Sequence, residues 1–140
     1  MKDMSSPRFK LVLVIDENLG IGLVSNTAAV LTLSVGAKHP ELIGSDIHDA
    51  SEQVHLGITT IPIPVLSTST TAIQSIVQKL GGKEIELVSF SKIAQSIHSY
   101  DEYVSKLQST QTSAIEYSGI ALYGPEKAIN SLVGSLPRLK

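Results

Sequence analysis

The chain has no cysteine and no tryptophan, and aromatic residues fill only 4% of its 140 positions. Without cysteine there are no disulfides, no thiolate nucleophile and no cysteine-based metal site, and the redox compartment is left open. With so few rings, the core must be built from Ile, Leu, Val and Ala within the 42% of residues that are apolar. That palette suits a layered α/β protein. No apolar run approaches the roughly 20 residues that span a bilayer. The opening MKDMSSPRFK is polar and charged where the apolar part of a secretory signal would begin. A cytoplasmic protein without membrane contact is expected. Basic residues are not in excess either: 11 Lys and Arg stand against 13 Asp and Glu, for a net charge of -2 and no cationic cluster. This balance argues against a nucleic-acid partner.

A chain of this length makes a single domain, 1–140, able to bury roughly two thirds of its unfolded surface, with 1–8 expected as a flexible N-terminus. KLVLVI (10–15) is apolar nearly throughout, the pattern of a strand covered on both faces. The stretch from Leu23 to Ala37 is apolar almost all round and predicts a helix with little water-facing surface. Residues 39–61 are polar and too many for a structureless loop, so a short helix, hairpin or lid is expected there. PIPVLS (62–67) predicts an edge strand on account of its prolines. Ile73, Ile76, Val77 and Leu80 then follow helical spacing, with serine and threonine caps before them and Gly81-Gly82 behind. IELVSF (85–90) is a third strand, Ser99 and Glu102 have capping-box spacing, GIALY (119–123) is a fourth strand, and Pro125 opens a last helix. The alternation predicts a three-layer α/β/α sandwich.

Few motifs carry chemistry. Gly20-Ile21-Gly22-Leu23-Val24-Ser25 approaches a dinucleotide fingerprint, but four residues, DENL, separate it from the strand. No second strand ending in Asp or Glu follows, and there is no Gly-Lys-Ser/Thr, so neither a dinucleotide site nor a P-loop is indicated and no cofactor is expected. The glycines are read as shaping a turn that frees a helix N-terminus. Asp46, His48, Asp49, Glu52 and His55 are metal-type ligands at spacings that match no zinc motif, so a solvated loop is expected and no metal. No G-x-S-x-G elbow exists. Asn26 stands out in the first turn of an apolar helix beside Thr27. A buried amide there needs partners, either its own backbone or a ligand in the crevice.

GIALYGPEKAINSLVGSLPRL, together with KLVLVIDENLGIGLVSNTAAV and HPEL at 39–42, resembles type II peptidyl-tRNA hydrolases. The combination of DENLGIGLVSNTAAVL, IPIPVL, SIHSYDEY and YSGIALYGPEKA is closer still to an uncharacterised bacterial family sharing that fold. The resemblance implies a mixed four-stranded sheet of order 2-1-4-3 with the last strand antiparallel, and a homodimer. It also shows what is missing. Those hydrolases carry lysines in the glycine turn, a histidine in the first helix and an aspartate after the third strand. Here the corresponding places hold Ile21 and Leu23, Val30 and Ser91, without charge.

Function must therefore be argued from the site. The polar residues that could reach a crevice beyond the first and third strands are Asp16, Glu17, Asn18, Asn26, Thr27, Ser91 and His98. A binding domain holding a small polar ligand through Asp16, Asn26, Thr27, Ser91 and His98 is the first expectation. The alternatives are a hydrolase with Asp16 or His98 as general base, and a divergent peptidyl-tRNA hydrolase.

Overall fold

The computed structural model describes residues 8–140. The expected flexible segment 1–8 lies outside these, Arg8 excepted. The fold is mixed α/β, with a four-stranded mixed sheet and five helices.

The sheet is built around β1 (Phe9–Asp16), whose residues from Leu11 onward are all buried. Beyond the small strands β2 (Ile47–His48) and β3 (Val54–His55), the sheet takes in β4 (Val65–Thr68), β5 (Glu86–Ser91) and β6 (Tyr117–Pro125). Its order is β4-β1-β6-β5. β1 runs parallel to β4, and β6 runs antiparallel to both β1 and β5. The two uniformly apolar strands, β1 and β6, are thus the inner pair, because only inner strands lose water on both faces.

Alternation along β1 and β6 sends side chains to two cores. Val12, Val14, Ile120 and Leu122 pack with Ile73 and Ile76 of α2 (Thr70–Gln78, following α1) and with Ile129 and Val133 of the last helix. Leu11, Leu13, Ile15 and Ala121 pack on the other face with Leu31 and Val35 of α1 (Ile21–Lys38). After α2 come α3 (Lys92–Gln95), α4 (Tyr100–Gln108) and α5 (Glu126–Val133). The caps predicted for α2 and α4 form: Ser69 accepts from the Ala72 amide and Ser99 from the Glu102 amide. Helix α1 approaches the sheet closely at Gly119, where a Cβ would lie 2.7 Å from Thr27 Cγ2 and 3.2 Å from the Val14 carbonyl.

Three sequence expectations need correction. The expected edge strand 62–67 begins later, at Val65, so Pro62 and Pro64 precede it, and the Pro64 carbonyl accepts from the Leu13 amide. The outer edge of β4 is covered by the C-terminal tail, through Leu139 N to Val65 O and Ser67 N to Pro137 O. Helix α1 is apolar all round yet far from enveloped, with Ile21, Leu23 and Leu33 outward. By length and hydropathy α1 could also cross a membrane, but Thr27, Leu31 and Val35 are packed on the sheet.

The polar stretch after α1 forms one 3-10 turn (Pro40–Leu42) and the β2–β3 hairpin. Asp49 makes the hairpin turn by accepting from the Ser51 and Gln53 amides, and its other oxygen lies 2.8 Å from His55 Nε2. Asp46 accepts from the Gly57 amide. Asp46, Asp49 and His55 thus serve loop geometry.

Candidate functional site

The carboxyl ends of β1 and β5 lie at the same end of the sheet, on either side of the start of β6, and α1 and α3 begin there. Asp16 closes β1 and is 4% exposed. Its Oδ1 accepts from the Asn18 amide, and its Oδ2 lies 2.5 Å from Lys92 Nζ. Lys92 opens α3 and leaves 32% of its side chain in water. The charge absent from the glycine turn is therefore present here, supplied by a lysine one residue after Ser91. That lysine went unread because its partner is 76 positions away.

Thr27 and Ser91 do not reach a ligand. Thr27 is fully buried; its hydroxyl donates to the Leu23 carbonyl and accepts from Gln95 Nε2. Gln95 Oε1 in turn accepts from the Ser118 hydroxyl. Ser91 caps α3 by accepting from the Ala94 amide. These groups form a saturated seam joining α1, α3 and β6, which is how buried polar groups are normally accommodated.

Asn26 differs from expectation in the opposite sense. It is exposed, and its amide makes no hydrogen bond to another described residue. It stands one turn ahead of Val30 and two ahead of Ser34, a spacing that puts all three on one ridge of α1. Gly20 and Gly22 have open space around them, and Gly20 caps α1 at an ordinary φ of -70. The turn does not require glycine, although the pair does leave the helix end uncovered.

Val30 and Ser34 form one wall of a groove of about 380 Å³. Val88, Ser89 and Phe90 of β5 form its floor, and Ala94, Ile97, His98, Tyr100 and Tyr103 form its other wall. Tyr100 and Tyr103 pack ring against ring at 5.6 Å, and Tyr100 is 76% exposed. Among the described residues, Ser34, Ser89, His98 and the two tyrosines make no side-chain hydrogen bond. The groove thus joins an apolar floor to unused donors and acceptors, the usual make-up of a ligand site. Of the expected residues, His98 lines the groove and Asn26 extends its ridge, while Asp16, Thr27 and Ser91 are held in structural bonds.

A second polar cluster lies at the opposite end of the sheet. His39 Nε2 is 2.5 Å from Glu86 Oε2, and its Nδ1 is 3.1 Å from Glu41 Oε1. Lys38 adds a contact to Glu86 at 3.3 Å, and the His39 ring packs on Tyr123 at 4.6 Å. The bond to Glu86 raises the His39 pKa above its ordinary value and lowers that of Glu86. With a carboxylate at each nitrogen, this imidazole favours the protonated form and fastens α1 to β5.

The sequence matches a family described as a protein of unknown function, DUF2000, over residues 9–140. The chain belongs to that family. DUF2000 membership extends from the first strand to the C-terminal tail and so includes both walls of the groove. No curated protein matches the chain. A solved structure of a protein of unknown function from Agrobacterium tumefaciens is similar, with a TM-score of 0.86 at 18% identity, over 93% of this chain and 96% of that one. At that identity the likeness concerns the DUF2000 fold alone.

Proposed function

We propose that this chain is a cytoplasmic ligand-binding domain on a peptidyl-tRNA hydrolase II-like, three-layer scaffold, its ligand held in the groove between α1, β5 and α4. One observation carries the reading: apart from Ser99, which caps α4, the polar side chains of the groove have no hydrogen-bond partner among the described residues, whereas the buried ones at the carboxyl ends of β1 and β5 are engaged. The groove suits a small molecule with an apolar body and a polar end, the latter meeting Asn26 or His98. The hydrolase likeness is supported by the strand order, which among the four strands of the sheet reads second, first, fourth, third, with the last antiparallel. It is supported too by the packing of helices on both faces. Thermal-shift screening against nucleotides, amino acids and acyl compounds tests the assignment, since a ligand of the native state raises stability with concentration. Compounds that stabilise the parent chain should lose their effect in Asn26→Ala or His98→Ala. Stabilisation unchanged in both variants overturns the assignment.

The Asp16–Lys92 pair favours a second reading, a hydrolase with its own site. Activity lost in Asp16→Asn and Lys92→Met, in protein shown to be folded, would select it. Peptidyl-tRNA cleavage is not expected of either reading, because no lysine stands in the glycine turn and the net charge is -2, and turnover equal to a genuine hydrolase at matched salt would refute that expectation.

A homodimer is part of the proposal. Ile21 and Leu33 on α1, Ile47 and Val54 on the hairpin, and Leu56 and Ile58 just after it are exposed apolar residues. A second copy would take such side chains out of water and offers the same apolar chemistry in return, and a stable interface needs roughly 800 Å² per partner. Sedimentation of the parent against Leu33→Glu tests it: the parent dimeric, the variant monomeric.

A further inference from the structure

The sheet has two outer edges, and they are treated differently. The C-terminal tail pairs with β4, as described, but β5 is bonded only to β6. Among the described residues, no backbone group of Glu86–Phe90 is hydrogen-bonded beyond that pairing, and the Ser91 carbonyl opens α3. In an antiparallel ladder, alternate residues direct their N–H and C=O away from the partner strand. About three of the six residues of β5 therefore present an open row of donors and acceptors. Soluble proteins guard such rows with lysine, proline or a covering loop. ELVSFS has neither residue, and its irregularity comes only at Phe90/Ser91. The unguarded row runs beside the groove floored by Val88, Ser89 and Phe90.

We propose that this edge and groove together bind an extended peptide. The inference rests on the groove being the ligand site. The peptide backbone adds a strand to β5, and every second side chain enters the groove between Ser34 and Tyr103, while the others face water. Charge indicates its composition. No Lys or Arg lines the groove, and Asp101 follows Tyr100 in the first turn of α4, beside Glu102, whose carboxylate lies 3.9 Å from Lys106 Nζ. A peptide carrying lysine or arginine where it passes Asp101 complements that rim; an acidic one is repelled.

A second copy of β5 is the weaker occupant. Pairing two six-residue edges buries on the order of a few hundred Å², well under the roughly 1,200 Å² of a specific interface. A two-fold axis would also set one concave groove beside another and fill neither.

The test uses random octapeptides displayed for selection on the full chain, followed by synthesis of the selected sequences. Each peptide is made in two forms, N-methylated at odd or at even positions, and each is also measured against Ser34→Trp, which fills the groove from an exposed position on α1. The expected result is net basic peptides that lose about tenfold or more in affinity when N-methylated in one register and little in the other, and that fail to bind Ser34→Trp. Equal tolerance of both methylation registers, with loss of binding in Ser34→Trp, overturns strand pairing while leaving the groove as the ligand site. Failure to select any peptide, or indifference of all selected peptides to Ser34→Trp, overturns the inference; the small-compound screen on Ser34→Trp then decides the groove reading separately.

Discussion

Two polar regions lie within a few residues of each other and behave in opposite ways. At the carboxyl ends of β1 and β5, the buried polar side chains are engaged: Asp16 with Lys92, Thr27 with Gln95, Gln95 with Ser118, Ser91 with its own helix. Along the groove beside them, Asn26, Ser34, His98 and the tyrosines are unengaged. Polar character alone does not mark a site in this fold. A seam that satisfies itself holds elements together, and one left unsatisfied and open to water is available to a ligand.

Substitutions should separate the two regions sharply. Lys92→Ala strands the buried Asp16 carboxylate and is expected to cost the most, about 2–3 kcal/mol by urea denaturation, below the range for fully buried pairs because Lys92 is partly in water. Adding Asp16→Asn should recover part of that loss, as a coupled pair requires. Gly119→Ala pushes a methyl group into Thr27 and the Val14 carbonyl and should cost about 1–3 kcal/mol. Thr27→Val removes one link of the seam, with an expected loss of about 1–2 kcal/mol. Asn26→Ala and His98→Ala, by contrast, should stay within about 0.5 kcal/mol of the parent while abolishing ligand-induced thermal shifts. A destabilised Asn26→Ala would dissolve the distinction.

The smallest effect concerns the far end of the sheet. His39 has a raised pKa, so its contribution is complete below its ordinary value of 6.5 and declines as pH rises through the higher folded value. Glu86 has a lowered pKa, so its contribution is complete above its ordinary 4.5 and declines as pH falls through the lower folded value. Together they act in full between those values and fade on either side. The side chains are partly exposed, so the swing should stay under about 1 kcal/mol. Denaturation midpoints for parent and His39→Gln across pH 5 to about 8.5 should converge toward the alkaline end.

Much of the fold could be read from period and punctuation, because β1, β6, α2 and α4 have local signals: apolar runs, helical spacing, a serine cap. The hairpin was legible only as one alternative beside a short helix or a lid, since its strands are two residues each and a period needs more. Helix α1 misled for a related reason. A helix apolar on every side has no stripe to say which face meets the sheet, so Asn26 was read as buried. Lys92 carries no local signal, because its meaning depends on Asp16, brought near only by the sheet order. His98 was legible as a polar residue near a strand end, but the groove it lines depends on the relative placing of α1 and α4, which no local pattern encodes.

The position of β6 also sets the order in which the molecule can be assembled. It alone among the described strands bonds both β1 and β5, and it is made late, at Tyr117–Pro125. As the chain leaves the ribosome, β1 can take only β4 as a partner in this sheet, and a lone pair of strands is barely stable in water. For most of synthesis, then, the apolar face that α1 will cover has no sheet behind it. Cooperative folding waits for residues 117–125, and the nascent protein's exposure to chaperones and aggregation is set by how fast the stretch from β4 to β6 is translated.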